Sequence, residues 1–386
     1  MIKLQHNHQI NFDNYNFEKI YDTLNKKEEM LDWLDIDTCI SKEELEKVKN
    51  IANDIKEKAD VFIVIGIGGS FLGAKAIIDA LSPYFDNNSN PELIFLGNNL
   101  SSEYLTEVMK HIENKNVYVN VISKSGNTLE PSLAFDIIYN YLKENDKNYK
   151  DKIIVTTDKE SGKLRQLVNE KHLTSLEIPI NISGRFSCLT SVGLLPCAVK
   201  NINIDELLAG ANDAKKYLDI ASEYALLRYK MEQEGFLVEA FTYCEPKLEY
   251  FGRWFQQLFG ESQGKNKKGI FPTCNLNSTN LHALEQYFQD GRDILFETIL
   301  MINKFDNPYQ EITDLNNFVM DKVCLAHKSG NTPDTIIELD RLTPYTLGEL
   351  IYFFELSCAI GGFMMNINPF DQPGVEKYKS LIREKK

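Results

Sequence analysis

Val61-Phe62-Ile63-Val64-Ile65 runs directly into Gly66-Ile67-Gly68-Gly69-Ser70-Phe71-Leu72-Gly73. A short β-branched run bounded by glycine predicts a strand buried on both faces. Ser70 to Leu81 then has helical character. Upstream, Ser41 with Glu44 three residues on forms a capping box, and Leu45, Val48, Ile51 and Ile55 mark one helical face over 41–59. Downstream, buried strands are expected at 93–96, 117–122 and 153–155, separated by helical patterns at 101–113 and 128–143. Strands alternating with helices predict an α/β fold with a mostly parallel sheet and helices on both faces. After about residue 200 the alternation loosens. Helices are expected at 204–234, 246–259 and 344–365, with strands at 236–243, 294–302 and 335–339, which makes a second α/β unit.

The whole chain sets outer bounds. Its 386 residues are 43% hydrophobic and 25% charged, enough for a large core. A net charge of −14 argues against nucleic acid and anionic lipid as partners. No signal peptide is expected at the N-terminus. The most apolar late segment, Leu347 to Met365, is broken by Glu349 and Glu355 and reads as a buried helix. Seven scattered cysteines without a C-x-x-C pair predict reduced core thiols in a cytoplasmic protein and no metal site.

Four constellations can carry chemistry. The glycine turn at 66–73 lets backbone approach a ligand, and the helix after it aims free N–H groups at an anion. It is not a dinucleotide fingerprint, because Phe71 stands at the last required glycine, and no nucleotide P-loop lysine follows. Ser123-Lys124-Ser125-Gly126-Asn127-Thr128 gathers three hydroxyls and several backbone donors ahead of a helix. Such donors hold a phosphate dianion without a large net charge. Gly260-Glu261-Ser262-Gln263-Gly264-Lys265 places a carboxylate beside glycine in an expected loop, a suitable base for a proton next to a carbonyl, with His282 further on. The fourth, Asp371-Gln372-Pro373-Gly374-Val375-Glu376 with Lys379, surrounds a Pro-Gly turn. A second Ser-Gly-Asn-Thr, at 329–332, reads as an ordinary turn.

Taken in order with Gly184-Arg185-Phe186-Ser187 and the run to Pro196, these segments resemble the metal-independent glucose-6-phosphate isomerase family. The likeness spans about 61–379. It implies two three-layer α/β/α domains of the sugar-isomerase (SIS) type. The divisions expected are an N-terminal helical segment at 1–60, a first domain at 61–203 with the phosphate loop, and a second at 204–386 with a C-terminal catalytic helix. The resemblance implies that Glu261 shuttles a proton between sugar C2 and C1 and that Arg185 stabilises the cis-enediolate. His282 and Lys379 would help open the pyranose ring. Ser123, Lys124, Ser125 and Thr128 would hold the phosphate, and Gly69 and Ser70 would lie along the sugar. No cofactor is implied. A homodimer or larger assembly is, with the histidine reaching a neighbouring subunit's site.

Three positions depart from the family pattern: Ser183 replaces a glycine, Ile180 a polar residue and Pro373 a tryptophan. Two other readings are compatible with parts of the pattern. One is another phosphosugar isomerase, against which the Asp371 to Lys379 motif argues and which substrate profiling tests. The other is a non-catalytic sugar-phosphate regulator, disfavoured by Glu261, His282 and Lys379 together, by the acidic charge and by the lack of a helix-turn-helix.

Overall fold

A computed structural model describes all residues except 1, 7, 10–16, 27–29, 86–90 and 384–386. The chain divides into two compact units, Glu29–Asp205 and Met1–Glu28 with Glu206–Lys386.

In the Glu29–Asp205 unit, β2 (Val61–Ile65), β3 (Glu92–Leu96), β4 (Val117–Ile122), β5 (Ile153–Thr157) and β6 (Thr174–Glu177) form a parallel sheet in the order β3-β2-β4-β5-β6. Every residue of β2 and β4 is buried, as expected for strands covered on both faces. Val61, Ile63 and Ile65 join one core with α5 (Ser102–His111), α6 (Leu129–Asn145) and α7 (Lys163–Lys171) through Val108, Ile138 and Val168. Phe62 and Val64 alternate to the other face and are equally buried. Helix α8 (Ser191–Val199) packs on α3 (Lys42–Lys58) and α4 (Leu72–Leu81).

The capping box at Ser41 is only half formed. Ser41 Oγ accepts the Glu44 N–H at 3.1 Å. The Glu44 carboxylate does not turn back. It accepts from the Glu177 N–H at 2.7 Å and from the Ser191 hydroxyl at 3.2 Å, stronger use of a charge than a second local bond.

In the other unit the sheet order is β1-β10-β9-β7-β8, built from β1 (Lys3–His6), β7 (Val238–Tyr243), β8 (Phe271–Leu276), β9 (Leu295–Lys304) and β10 (Asp334–Arg341). Only β1 runs antiparallel, pairing Lys3 with Glu338. Helix α13 (Gln310–Ser329) covers one face through Met320, Val323 and Cys324 against Ile299 and Met301. On the opposite side α11 (Glu249–Gln263) and α14 (Pro344–Met364) meet Phe241 of β7. The Phe241 and Phe255 rings stack at 4.5 Å, and Phe354 meets Phe241 edge-on at 5.7 Å. Helix α14 is long and apolar enough to cross a membrane, yet 89% of its apolar window is buried inside the protein, the buried helix the sequence predicts.

Candidate active site

The order β3-β2-β4-β5-β6 reverses direction around β2. In open α/β sheets a ligand crevice lies at such a switch point, outside the carboxyl ends of the strands. Here those ends, Ile65 and Ile122, lead into the glycine turn and the serine loop.

Three features shape the glycine turn. Gly68 has φ +57°, a left-handed conformation that suits glycine. Ser70 N–H and Phe71 N–H close a short 3₁₀ turn onto Ile67 and Gly68 carbonyls. Helix α4 therefore starts at Leu72, two residues later than the sequence suggests. A Cβ on Gly69 would lie 2.1 Å from the Gly184 carbonyl carbon and oxygen, so only glycine lets these two turns touch. That contact fixes the neighbouring Arg185, which is buried in the turn Gly184–Phe186.

The serine loop is tied internally. Ser123 Oγ accepts the Gly126 N–H at 3.0 Å, and Ser125 Oγ the Asn127 N–H at 3.2 Å. Gly126, at φ +70°, lies against the Leu164 backbone, where a Cβ would approach the amide nitrogen to 2.8 Å. Thr128 is the N-cap of α6, but its side chain makes no capping bond. Its hydroxyl and that of Ser125 are exposed, at the start of a 17-residue helix. Lys124 is directed elsewhere. Its ammonium donates to the Ile180 carbonyl at 2.6 Å and to Ile182 at 3.4 Å, and burial lowers its pKa against the pull of Asp158. It thus ties the serine loop to the segment ahead of Arg185.

In the other unit Glu261 lies in the last turn of α11, not in a loop. Gly260 does not end the helix. It packs against Pro272 in ordinary contact, and the chain turns out only after Gln263, with the Gly264 N–H on the Gly260 carbonyl. Gln257 Nε2 donates to Glu261 Oε2 at 3.1 Å, one helical turn away. The end of the helix is fixed from within. Gln263 Oε1 accepts from Arg228, whose Nε lies 2.8 Å from Glu239 Oε2, and Tyr224 and Thr298 both donate to Glu239 Oε1 at 2.7 Å. Glu261 is thus a partly exposed carboxylate on a rigid support.

His282 is exposed and closes the 3₁₀ turn Thr279–His282 that follows β8. Lys379 lies in α15 (Glu376–Arg383), with Nζ 3.2 Å from Glu376 Oε1. The motif around Glu261 and the C-terminal motif are joined directly: Lys265 Nζ lies 2.6 Å from Asp371 Oδ1 and also meets the Asn368 carbonyl. No sequence spacing signals this pair, 106 positions apart.

A five-stranded parallel sheet with a hydroxyl-rich loop at its switch point, in a chain with a second parallel-dominated sheet, defines a phosphosugar isomerase fold of the SIS type. Solved structures agree. A hypothetical protein from Thermus thermophilus superposes with a TM-score of 0.84 at 27% identity, covering 95% of this chain and 94% of that one. A glucose-6-phosphate isomerase from Chlamydia trachomatis shares the fold with a TM-score of 0.76 at 23% identity, over 89% of this chain and 73% of that one. A family model described as phosphoglucose isomerase matches residues 43–281 and 297–385. Proteins named glucose-6-phosphate isomerase from Fusobacterium nucleatum and Alkaliphilus metalliredigens are each 42% identical, over 94% and 91% of this chain and 88% and 85% of their own. The chain belongs to the phosphoglucose isomerase family.

Proposed function

We propose that Glu261 is the proton shuttle of an aldose–ketose isomerase and that the Ser123–Thr128 loop holds the substrate's phosphate. The chain interconverts D-glucose 6-phosphate and D-fructose 6-phosphate, the step shared by glycolysis and gluconeogenesis. Family membership across most of the chain carries that activity.

The roles follow from the chemistry. Ring opening moves the O1 proton away and delivers one to O5, leaving a carbonyl at C1. His282 and Lys379 serve this step. The carbonyl acidifies the C2 proton. Glu261 removes it, and the electron pair shifts to give the cis-enediolate with charge on O1. Arg185, a fixed cation, favours that charge. Glu261 then returns the proton to C1 while the O2 proton passes to O1, leaving a ketone at C2. One carboxylate serves both carbons because they are adjacent. The steps are proton transfers with no net oxidation, so they consume no redox cofactor. Exposed hydroxyls on Ser125 and Thr128 and the free N–H groups of α6 suit the phosphate dianion, while Gly69 and Ser70 lie along the sugar. A homodimer or larger assembly in the cytoplasm completes the reading.

Fructose 6-phosphate turnover without added metal tests it. Glu261→Gln keeps the hydrogen bond to Gln257 and loses the base, so kcat should fall on the order of 10²-fold or more with the fold intact. An unaffected variant overturns Glu261 as the base, and an inactive wild type overturns the activity.

A further inference from the structure

The turn bearing His282 lies between Asn275 on β8 and Glu285, the first residue of α12 (Glu285–Asp290). Both ends lead by hydrogen bonds to one buried carboxylate, Glu297 of β9. On one side Asn280 Nδ2 donates to Asn275 Oδ1 at 2.9 Å, Asn275 Nδ2 to Thr242 Oγ1 at 3.2 Å, and Thr242 Oγ1 to Glu297 Oε1 at 2.7 Å. On the other, Glu297 Oε2 meets His327 Nδ1 at 2.5 Å, and His327 Nε2 meets Glu285 Oε1 at 3.0 Å. Glu297 and His327 are both 0% exposed.

Two further contacts seat α12. The Phe288 ring stacks on His327 at 5.4 Å, and Thr332 Oγ1 donates to the Phe288 carbonyl at 2.6 Å. The second Ser-Gly-Asn-Thr segment, 329–332, is therefore the turn that ends α13 and holds α12. A six-residue helix has no stability of its own and needs such tertiary support.

Burying a carboxylate and an imidazole costs desolvation that apolar residues in a strand would avoid. Along β9, Phe296, Ile299 and Leu300 are apolar and buried, and the buried Thr298 serves the separate Glu239 network. Glu297 and His327 depart from that pattern where the hydrogen bonds from both ends of the His282 segment converge. Each ring nitrogen faces a carboxylate oxygen, so the imidazolium donates to both and the group is a clamp.

We infer that Glu297 and His327 form a buried clamp that grips the 275–285 segment at both ends, and that His327 is a positioning residue for His282 in ring opening. The inference rests on the reading of His282 as a ring-opening group. A misplacement of about 1 Å at a reacting group can cost on the order of 10²-fold in rate, so a clamp acting through the backbone registers in kcat and not in substrate affinity.

A double-mutant cycle on the full chain tests this, with fructose 6-phosphate kinetics and thermal melts for His282→Gln, His327→Gln and the double variant. His327→Gln should lower kcat roughly 10-fold, with KM within about 2-fold. In the His282→Gln background the same change should cost less than about 2-fold, because there is no imidazole left to position. Equal loss in both backgrounds, or no loss of kcat in the single variant, overturns the clamp while leaving His282 catalytic. Full activity in His282→Gln instead overturns His282 itself, and the inference with it. If His327→Gln does not fold, Glu285→Gln, at a partly exposed side chain, takes its place in the same cycle and is judged by the same two outcomes.

Discussion

Lys265 Nζ and Asp371 Oδ1 lie 2.6 Å apart and join the end of α11 to the segment that leads into α15. The two partners are unequally exposed, 8% for the Lys265 side chain and 54% for that of Asp371. Asp371→Ala leaves a mostly buried ammonium short of its counter-ion and should destabilise by about 1–3 kcal/mol. Lys265→Met leaves a carboxylate that water can solvate and should cost under about 1 kcal/mol. Denaturant melts of both variants give the order. A larger loss for Lys265→Met would contradict the asymmetry.

Gly69 and Gly184 respond differently to the same substitution. A methyl at 69 meets the Gly184 carbonyl at 2.1 Å, whereas one at 184 comes no closer than 3.8 Å to Gly69. Gly69→Ala must push two backbone turns apart and should lower kcat/KM by at least about 10-fold, through the displaced Arg185. Gly184→Ala should remain within about 3-fold of wild type. Steady-state kinetics of the two decide it.

Thr128 separates binding from stability. Its hydroxyl makes no capping bond, so Thr128→Val should change stability by less than about 0.5 kcal/mol while raising KM for the sugar phosphate. Ser41→Ala, which removes a real cap at the start of α3, should cost about 1 kcal/mol and leave KM unchanged. Paired melts and KM values check both, and a melt shift for Thr128→Val would mean that its hydroxyl supports the helix.

Much of this was legible in the sequence because the central strands announce themselves. Val61–Ile65 is a continuous apolar run and Val117–Ile122 is broken only by Asn120, and the candidate site turns follow at their carboxyl ends. The missed strands are edges. β8 contains Pro272 and β1 is polar, and both sit at the margin of their sheet, where a missing donor or a solvated face is tolerated. The four-residue β6 gave too short a pattern to read. The flanking glycines predict a loop around Glu261, yet helix α11 runs through Gly260. The links around it, Gln263 to Arg228 and Lys265 to Asp371, join residues distant in sequence and had no local signal. The roles of Glu297 and His327 were invisible for the same reason.

His327 should make stability depend on pH. Burial works to lower its pKa, but Glu297 and Glu285 prevail and raise it above the ordinary value. Asp334, paired across the sheet with Glu297, is met by Lys328 at 3.5 Å. A raised folded pKa means that the imidazolium stabilises fully below about pH 6.5, the unfolded value, and that this contribution fades as pH rises through the folded value. The melting difference between wild type and His327→Gln should be largest near pH 6 and shrink toward pH 9. A difference independent of pH would mean that folding leaves the imidazole pKa unshifted.

The antiparallel pairing of β1 with β10 also fixes an order of events during synthesis. Gln5 and Glu338, hydrogen-bonded across that edge, are 333 positions apart. At roughly 5–20 residues per second, the first strand waits on the order of tens of seconds for its neighbour to leave the ribosome. The Glu29–Asp205 unit is continuous in the chain and has all its strands long before then. The nascent polypeptide thus carries every strand of that α/β unit while β1 stays unpaired, and the edge closes only after β10 has left the ribosome.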